Sequence, residues 1–212
     1  MNTENSQTQV NIGRVHNTAY HDSAHILLRT LTTIVQMLTD RGYTMIQSCQ
    51  SIDEIREHMS DFSHIIFASE PKMIKVYFHN EDRVGVKQIR TWLEHAPNEK
   101  IIVISLDGPT TFTKKEVELN YPGVEFFLFK DLSVNVTKHK LVPQHTRLTP
   151  KEISELNYAT TDTFSHFPSL YTTDRIAQYY GYCKGDIIRI SRTAGVNEIT
   201  PYYRVVRSPP NV

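Results

Sequence analysis

The sequence predicts an α/β protein (α+β overall), with an N-terminal α/β domain followed by a small C-terminal mixed α+β domain. Two observations carry this. Over the first 130 residues or so, apolar residues at helical spacing alternate with short runs of consecutive apolar residues, as expected of helices laid on a sheet. Near residue 139 the pattern changes to a capped helix, glycine-marked stops and a last pair of β-rich segments. The expected organisation is a disordered lead-in over 1–20, a first domain over 21–138 and a second over 139–212, with the boundary around 138–142.

The elements follow in order. Leu27, Leu28, Leu31, Ile34, Val35 and Leu38 recur at helical spacing; Asp22 or Ser23 can cap the start, and Gly42 can end the helix in the left-handed conformation. Ser51 with Glu54 is a capping-box pattern and predicts a helix over about 52–60. Ile65–Ala68 and Lys75–Phe78 read as strands. Val86, Ile89, Arg90 and Leu93 predict a helix carrying the single tryptophan, Trp92. Ile101–Ile104 is a continuous apolar run, as in a strand covered on both faces, and Asp107-Gly108-Pro109 breaks it. Thr113 with Glu116 is a further capping-box pattern, opening a short helix that Tyr121-Pro122-Gly123 ends. Val124–Phe129 is one more strand.

In the second domain, Thr149 is an N-cap with Pro150 at the first helical position and Glu152 closing the box, for a helix to about Leu156. Thr173 or Asp174 can cap a short helix that Gly181 stops. Lys184-Gly185-Asp186 is a turn, and Ile187–Ser191 and Tyr202–Val206 are expected to pair as strands.

Composition excludes several classes. The 212 residues carry no net charge. Residues 1–138 hold 14 Lys+Arg and 17 Asp+Glu, net −3, and residues 139–212 hold 9 and 6, net +3. Neither half has the strong basic excess with which a free DNA-binding protein displaces counterions. Cys49 and Cys183 form no CxxC pair, so no structural zinc site is expected and the thiols read as free in a reducing compartment. No apolar run reaches membrane-spanning length. The polar start, Met1–Val10, lacks the basic and apolar regions of a signal peptide.

No catalytic constellation emerges, and no cofactor is expected. His21 and His25 could share a helix face, but no third metal ligand stands nearby. Asp53, Glu54 and Glu57 suit the positive end of a helix dipole better than acid–base work. His139 and His145 flank Pro143 without a serine or cysteine nucleophile. The Gly181–Gly185 segment lacks the strand–loop–helix context and the lysine–hydroxyl ending of a phosphate loop.

A set of motifs carries the reading further. Leu141-Val142-Pro143-Gln144-His145 is followed by Leu148-Thr149-Pro150-Lys151-Glu152, Phe167-Pro168, Thr173-Asp174, Tyr179-Tyr180-Gly181, Lys184-Gly185-Asp186-Ile187-Ile188-Arg189-Ile190, Arg192 and Tyr203-Arg204-Val205-Val206. This ordered set resembles the C-terminal assembly domain of the fifth subunit shared by eukaryotic nuclear RNA polymerases, a family with a shorter archaeal counterpart. Asp40-Arg41-Gly42-Tyr43 after the first long helix, Lys75-Val76-Tyr77-Phe78, Val84-Gly85-Val86-Lys87-Gln88-Ile89-Arg90-Thr91 and Ile101–Ser105 resemble segments of the family's N-terminal jaw domain. Because the archaeal RNA polymerase subunit lacks that jaw, the resemblance is to the eukaryotic or a viral type. It spans about residues 24–207.

Two departures stand out. The family's Asp-Pro is Asp174-Arg175 here, which removes the preset backbone angle that helps start a helix. The loop that reads P-S-E-T-A-G-R in the family is replaced by Thr193–Ile199, with Thr-Ala-Gly three positions early and without the final arginine. The docking surface there is expected to have drifted, as suits a fast-evolving lineage or a large DNA virus encoding its own polymerase.

The resemblance implies a non-catalytic polymerase subunit, since the family's active site belongs to the two largest subunits. It implies docking of the C-terminal domain on the largest subunit, beside neighbouring subunits, and a lower jaw near downstream double-stranded DNA, held weakly and without sequence preference. The implied interface residues are Pro143, His145, Arg189, Arg192, Tyr203 and Arg204, each arginine being either interface or solvated surface. The implied DNA-proximal residues are Pro109, Thr110, Thr111, Lys114 and Lys115, where a helix N-terminus and two lysines can hold a phosphate; an ordinary capped helix with two solvated lysines is the competing reading. Transcription factors are further candidate partners. The expected location is the nucleus, or a virus particle and its host's cytoplasm if the gene is viral. A free-standing transcription adaptor with the same fold is the competing function.

Overall fold

The computed structural model describes residues 24–45, 64–69, 72–79, 83–95, 99–156, 166–194 and 198–210. The lead-in, the Asp22 or Ser23 cap, His21, Cys49 and the helix expected over 52–60, with Asp53, Glu54 and Glu57, lie outside them.

Two sheets organise the chain, consistent with the expected α/β class. The first has five strands in the order β1 (Thr44–Met45), β2 (His64–Ser69), β3 (Lys72–His79), β4 (Lys100–Ser105) and β5 (Val124–Leu128). β1, β2 and β3 pair antiparallel, while β3, β4 and β5 pair in parallel. Parallel neighbours need crossover connections. Helix α2 (Val86–Glu94) makes the first and α3 (Thr111–Asn120) the second.

Strand alternation sorts the side chains onto two faces. Ile74, Val76, Phe78, Ile102 and Ile104 pack against Ile34, Met37 and Leu38 of α1 (Ala24–Asp40). Tyr77, Ile101 and Val103 pack against Ile89 and Trp92 of α2 and Val117 of α3. Every residue from Ile101 to Ser105 is buried, as the unbroken apolar run requires of a strand covered on both sides. On α2 the buried positions are Ile89 and Trp92, and Arg90 faces solvent.

The start of α3 differs from expectation. Thr110, not Thr113, is the N-cap: its Oγ1 accepts the Thr113 backbone N–H at 3.1 Å. Thr113 is fully buried in the first turn and bonds Thr110 through its hydroxyl at 2.8 Å. Glu116 reaches across to Arg90 on α2 at 3.2 Å rather than back to the cap. The helix starts earlier because the preceding loop is pinned as a short parallel bridge. Val84 donates to the Gly108 carbonyl and Thr110 donates to the Val84 carbonyl, both at 3.1 Å.

From β5 the chain crosses to the second sheet through a short helix α4 (Phe129–Leu132) and a 3₁₀ turn (Val136–Lys138). That sheet has the order β6 (Gln144–Arg147), β8 (Ile187–Ala194), β9 (Glu198–Arg207) and β7 (Ser169–Tyr171). The expected pair is present but longer than expected. Ile187 faces Val205, and pairing continues to Ala194 opposite Glu198. Thr193–Ile199 is therefore not one free loop, since Thr193 and Ala194 belong to one strand and Glu198 and Ile199 to the other. Ile187, Ile188, Ile190 and Val206 are buried, whereas Val205 is half-buried.

Local stops fall where the sequence puts them. Thr149 and Glu152 form the capping box of α5 (Pro150–Glu155). Asp174 accepts from the Ile176 N–H to cap α6 (Arg175–Tyr180), and Gly181 ends it at φ +64°.

The second sheet does not stand apart from the first. Tyr179 of α6 is 4% exposed and belongs to the α1–β3–β4 core, with Tyr180 packed against it. The C-terminal half thus completes the core of the N-terminal half.

Candidate functional site

Two candidate surfaces and one junction are brought together by this architecture. The first surface is the Gly108–Lys115 segment. Gly108 sits at φ +73° with its N–H on Ser105 Oγ at 3.1 Å, which sets the turn into α3. Pro109 and Thr110 are half-buried, and Thr111, Lys114 and Lys115 are exposed. The Thr110 hydroxyl occupies the Thr113 N–H, so the end-of-helix donors still facing outward are those of Thr111 and Phe112. Lys114 and Lys115 project from the end of the first turn instead of opening the helix. Phe112, 69% exposed, lies at the same tip.

The second surface involves the six candidate interface residues, which the sheet divides. Directly paired residues share a face. Arg147, Ile188 and Arg204 are in line, as are His145, Ile190 and Tyr202, so His145, Arg204 and Arg192 share the face that packs on α6. Arg189 and Tyr203 project from the opposite face. Arg189 pairs with Glu152 of α5 at 3.4 Å, and Tyr203 stacks on Phe167 with ring centroids 6.0 Å apart. Arg204 donates to the Ser169 carbonyl at 2.9 Å. These three have internal partners.

Arg192 is placed differently. Its guanidinium lies over the ring of Tyr202, 5.1 Å from the centroid, and both residues are exposed. β6 pairs with β8 only as far as Ser191, and β7 pairs with β9 only from Val205 onward. Arg192 therefore stands where the β8–β9 hairpin projects beyond its neighbours.

His145 and Pro143 line a polar recess of about 410 Å³ at the junction of the halves, together with Asp40, Lys138, Gln144 and Tyr180. The imidazole Nδ1 lies 2.8 Å from the Pro143 carbonyl. Burial pushes the His145 pKa down, with Arg204 and Arg192 adding to the effect; the Pro143 bond and Asp174 oppose it. Among the described residues no cluster of His, Cys, Asp or Glu could hold a metal ion. Cys183 is an exposed free thiol.

The junction was not foreseen as a site. Asp40 and Arg41 were legible as part of a motif, but their roles were not. The Tyr43 N–H bonds the Leu38 carbonyl at 2.8 Å and the Gly42 N–H bonds that of Thr39 at 2.9 Å, the paired geometry of a Schellman stop. Gly42, at φ +87°, makes this turn possible and leaves Arg41 as the last residue before it. The Arg41 guanidinium, its side chain 5% exposed, grips Glu125 of β5 with both Nη atoms, at 3.1 and 2.8 Å. It also donates from Nε to the Tyr179 carbonyl at 2.8 Å and from Nη2 to the Gln178 carbonyl. Alongside, Asn135 donates to Gln36 at 2.8 Å and to the Tyr179 hydroxyl at 3.1 Å. Arg175, where the family has proline, pairs with Asp131 of α4 at 2.6 Å. A signal for the junction existed in the arginine set between a long helix and its glycine stop, but a single chain does not say what such a side chain grips.

The chain matches two family models in order. Residues 21–96 match that of the RNA polymerase Rpb5 N-terminal domain, and residues 134–206 that of the Rpb5 C-terminal domain. The Gly108–Lys115 segment lies between the two matches. Among curated relatives, the chain is 31% identical over 185 residues to the subunit rpabc1 of DNA-directed RNA polymerases I, II and III from Dictyostelium discoideum, covering 80% of this chain and 92% of the relative. It is 28% identical over 200 residues to the corresponding subunit of Caenorhabditis elegans, covering 80% and 91%. It is 27% identical over 192 residues to DNA-directed RNA polymerase V subunit 5A of Arabidopsis thaliana, covering 81% and 84%.

Proposed function

This chain belongs to the Rpb5 family of RNA polymerase subunits, and on that premise we propose how it serves the enzyme: as a non-catalytic part joining a lower jaw to the largest subunit. It is a subunit of a multisubunit DNA-directed RNA polymerase and associates with other polymerase subunits. The observation that carries the reading is the presence of both Rpb5 domains, in order, on one chain.

The domain reading is a jaw over 21–138 and an assembly domain over 139–212. In it the C-terminal domain docks on the largest subunit. The exposed Arg192–Tyr202 pair suits such a contact, because arginine and tyrosine combine apolar area with directional hydrogen bonds. Pro143 and His145 at the junction recess are a second point of contact. Arg189, Tyr203 and Arg204 act mainly through their internal partners, shaping the sheet. The N-terminal domain lies near downstream DNA, with Lys114 and Lys115 contributing non-specific phosphate attraction beside Pro109, Thr110 and Thr111. The place of work is the nucleus, or a virus particle and its host's cytoplasm for a viral gene.

Tagged protein purified from its native source should carry the two largest polymerase subunits in stoichiometric amount. Recovery only outside that complex would remove this reading and favour an adaptor. In the assembled polymerase, charge reversal at Lys114 and Lys115 should weaken downstream DNA retention and lower its salt dependence. Retention unchanged across salt would remove the DNA contact.

A further inference from the structure

We propose that Arg41 is a positioning residue that fixes the angle between the two sheets, so that the chain behaves as one rigid body. The proposal concerns the free chain and does not depend on the docking surfaces above. Three elements from distant parts of the sequence meet at one guanidinium. Arg41 itself is anchored by the Schellman stop of α1. Glu125 comes from the edge strand β5 of the first sheet, and the Gln178 and Tyr179 carbonyls come from the C-terminal turn of α6, which packs on the second sheet.

The chemistry at each contact suits this role. A guanidinium offers five N–H donors in a rigid planar fork, so it can satisfy a carboxylate and two carbonyls at once and in one orientation only. The carbonyls at a helix C-terminus carry partial negative charge and favour a cation. Gly181 leaves the necessary space: a Cβ there would stand 3.1 Å from Arg41 Cζ. The glycine therefore serves two ends, stopping α6 and admitting the guanidinium. A lysine could supply the charge but not the fork.

Without this grip, the Glu125 carboxylate and the two α6 carbonyls would need water, and water entering there separates α6 from β5. The remaining cross-junction hydrogen bonds and ion pairs, Tyr179–Asp40, Asn135–Tyr179 and Arg175–Asp131, are single bonds, so that beside the packed ring of Tyr179 only the Arg41 fork imposes one orientation. Arg41→Met keeps the apolar length of the side chain and removes the fork.

Residual dipolar couplings of backbone amides in the full chain test this directly. In the native protein one alignment tensor should fit the amides of both sheets. Arg41→Met should require two tensors, while amide shifts within each sheet away from the junction stay at their native values. Gly181→Ala should also require two, whereas Gly185→Ala, a glycine at φ +95° with nothing within 4 Å, should not. A single native tensor in Arg41→Met would overturn the proposal. So would loss of dispersed signals from either sheet in both Arg41→Met and Gly181→Ala, because Arg41 would then be needed for folding rather than for orientation.

Discussion

The Tyr179 hydroxyl donates to the Asp40 carboxylate at 2.8 Å, a bond between residues 139 apart in the chain. It joins the end of the first helix to a helix of the second half, inside the core of the first sheet. The buried phenol also accepts from Asn135, so one oxygen ties α1, α6 and the segment between the sheets.

Tyr179→Phe should therefore lower global stability by about 1 kcal/mol, the net worth of a hydrogen bond whose acceptor, Asp40, is itself exposed. The denaturation midpoint checks it. The same hydroxyl gives a pH signature. Burial first, and then Asp40, push its pKa up from 10.0 to about 12. Because the fold holds the protonated form, the stabilisation is complete below pH 10 and is lost as pH rises through 12. Alkaline destabilisation should be shallower in Tyr179→Phe than in the native chain; equal slopes would sink the assignment.

Gly181→Ala and Gly185→Ala form a matched pair. Both positions have positive φ, so each substitution costs about 1–2 kcal/mol of backbone strain. Only Gly181 adds a clash with Arg41, and overpacking of that kind costs a further ~1–3 kcal/mol. The difference between the two melting midpoints isolates that clash, and it should vanish in an Arg41→Met background.

The capping box of α5 predicts a local loss. Thr149→Ala should cost about 1 kcal/mol. Bonds from the Thr149 backbone N–H and then its hydroxyl hold the Glu152 carboxyl below its usual range. That contribution is present above pH 4.5 and is lost as pH falls through the lowered folded value. A Glu152→Gln chain should lack this acid-sensitive part, visible as a flatter stability profile below about pH 5, while Thr149→Ala, which keeps the backbone N–H bond, should lose only the hydroxyl's share.

His145 predicts a second acid effect. Burial favours the neutral imidazole, so its stabilisation is present above pH 6.5 and is lost as pH falls through the depressed folded value. His145→Gln should lose less stability than the native chain between about pH 7.5 and 5. An imidazole titration at or above 6.5 by NMR would refute the sign.

Trp92, the single tryptophan, stacks on Tyr77 with ring centroids 5.0 Å apart, in the core beneath α2. Its fluorescence reports only the first sheet. Because Tyr179 ties the halves into one core, unfolding followed by fluorescence should coincide with unfolding followed by far-UV circular dichroism. Separate transitions would show that the halves unfold independently.

Much of the fold was legible because its signals are local. Thr149-Pro150-Lys151-Glu152 encodes its own cap, and Ile101–Ile104 announces a strand buried on both sides. β6 and β7 were not legible as strands. Gln144–Arg147 and Ser169–Tyr171 are short, have no clean apolar alternation, and owe their extended form to pairing with β8 and β9. The start of α3 was misplaced because Thr110 and Thr113 are three apart and both competent caps. The tie to Val84, which decides between them, comes from a loop some 25 residues away. At the interface candidates, residue type suggested contact, but the division of Arg189 and Tyr203 from Arg192 depends on strand register.

Both sheets finish on brief outer strands. β1 has two residues, β7 three, β6 four and β5 five, beside inner strands of up to ten. A long free edge would offer a row of unpaired backbone groups to any other chain in extended form. Each outer strand thus offers a second copy only a brief ladder, and among the described strands the longer open margin is Glu198–Arg204 of β9, beyond the reach of β7.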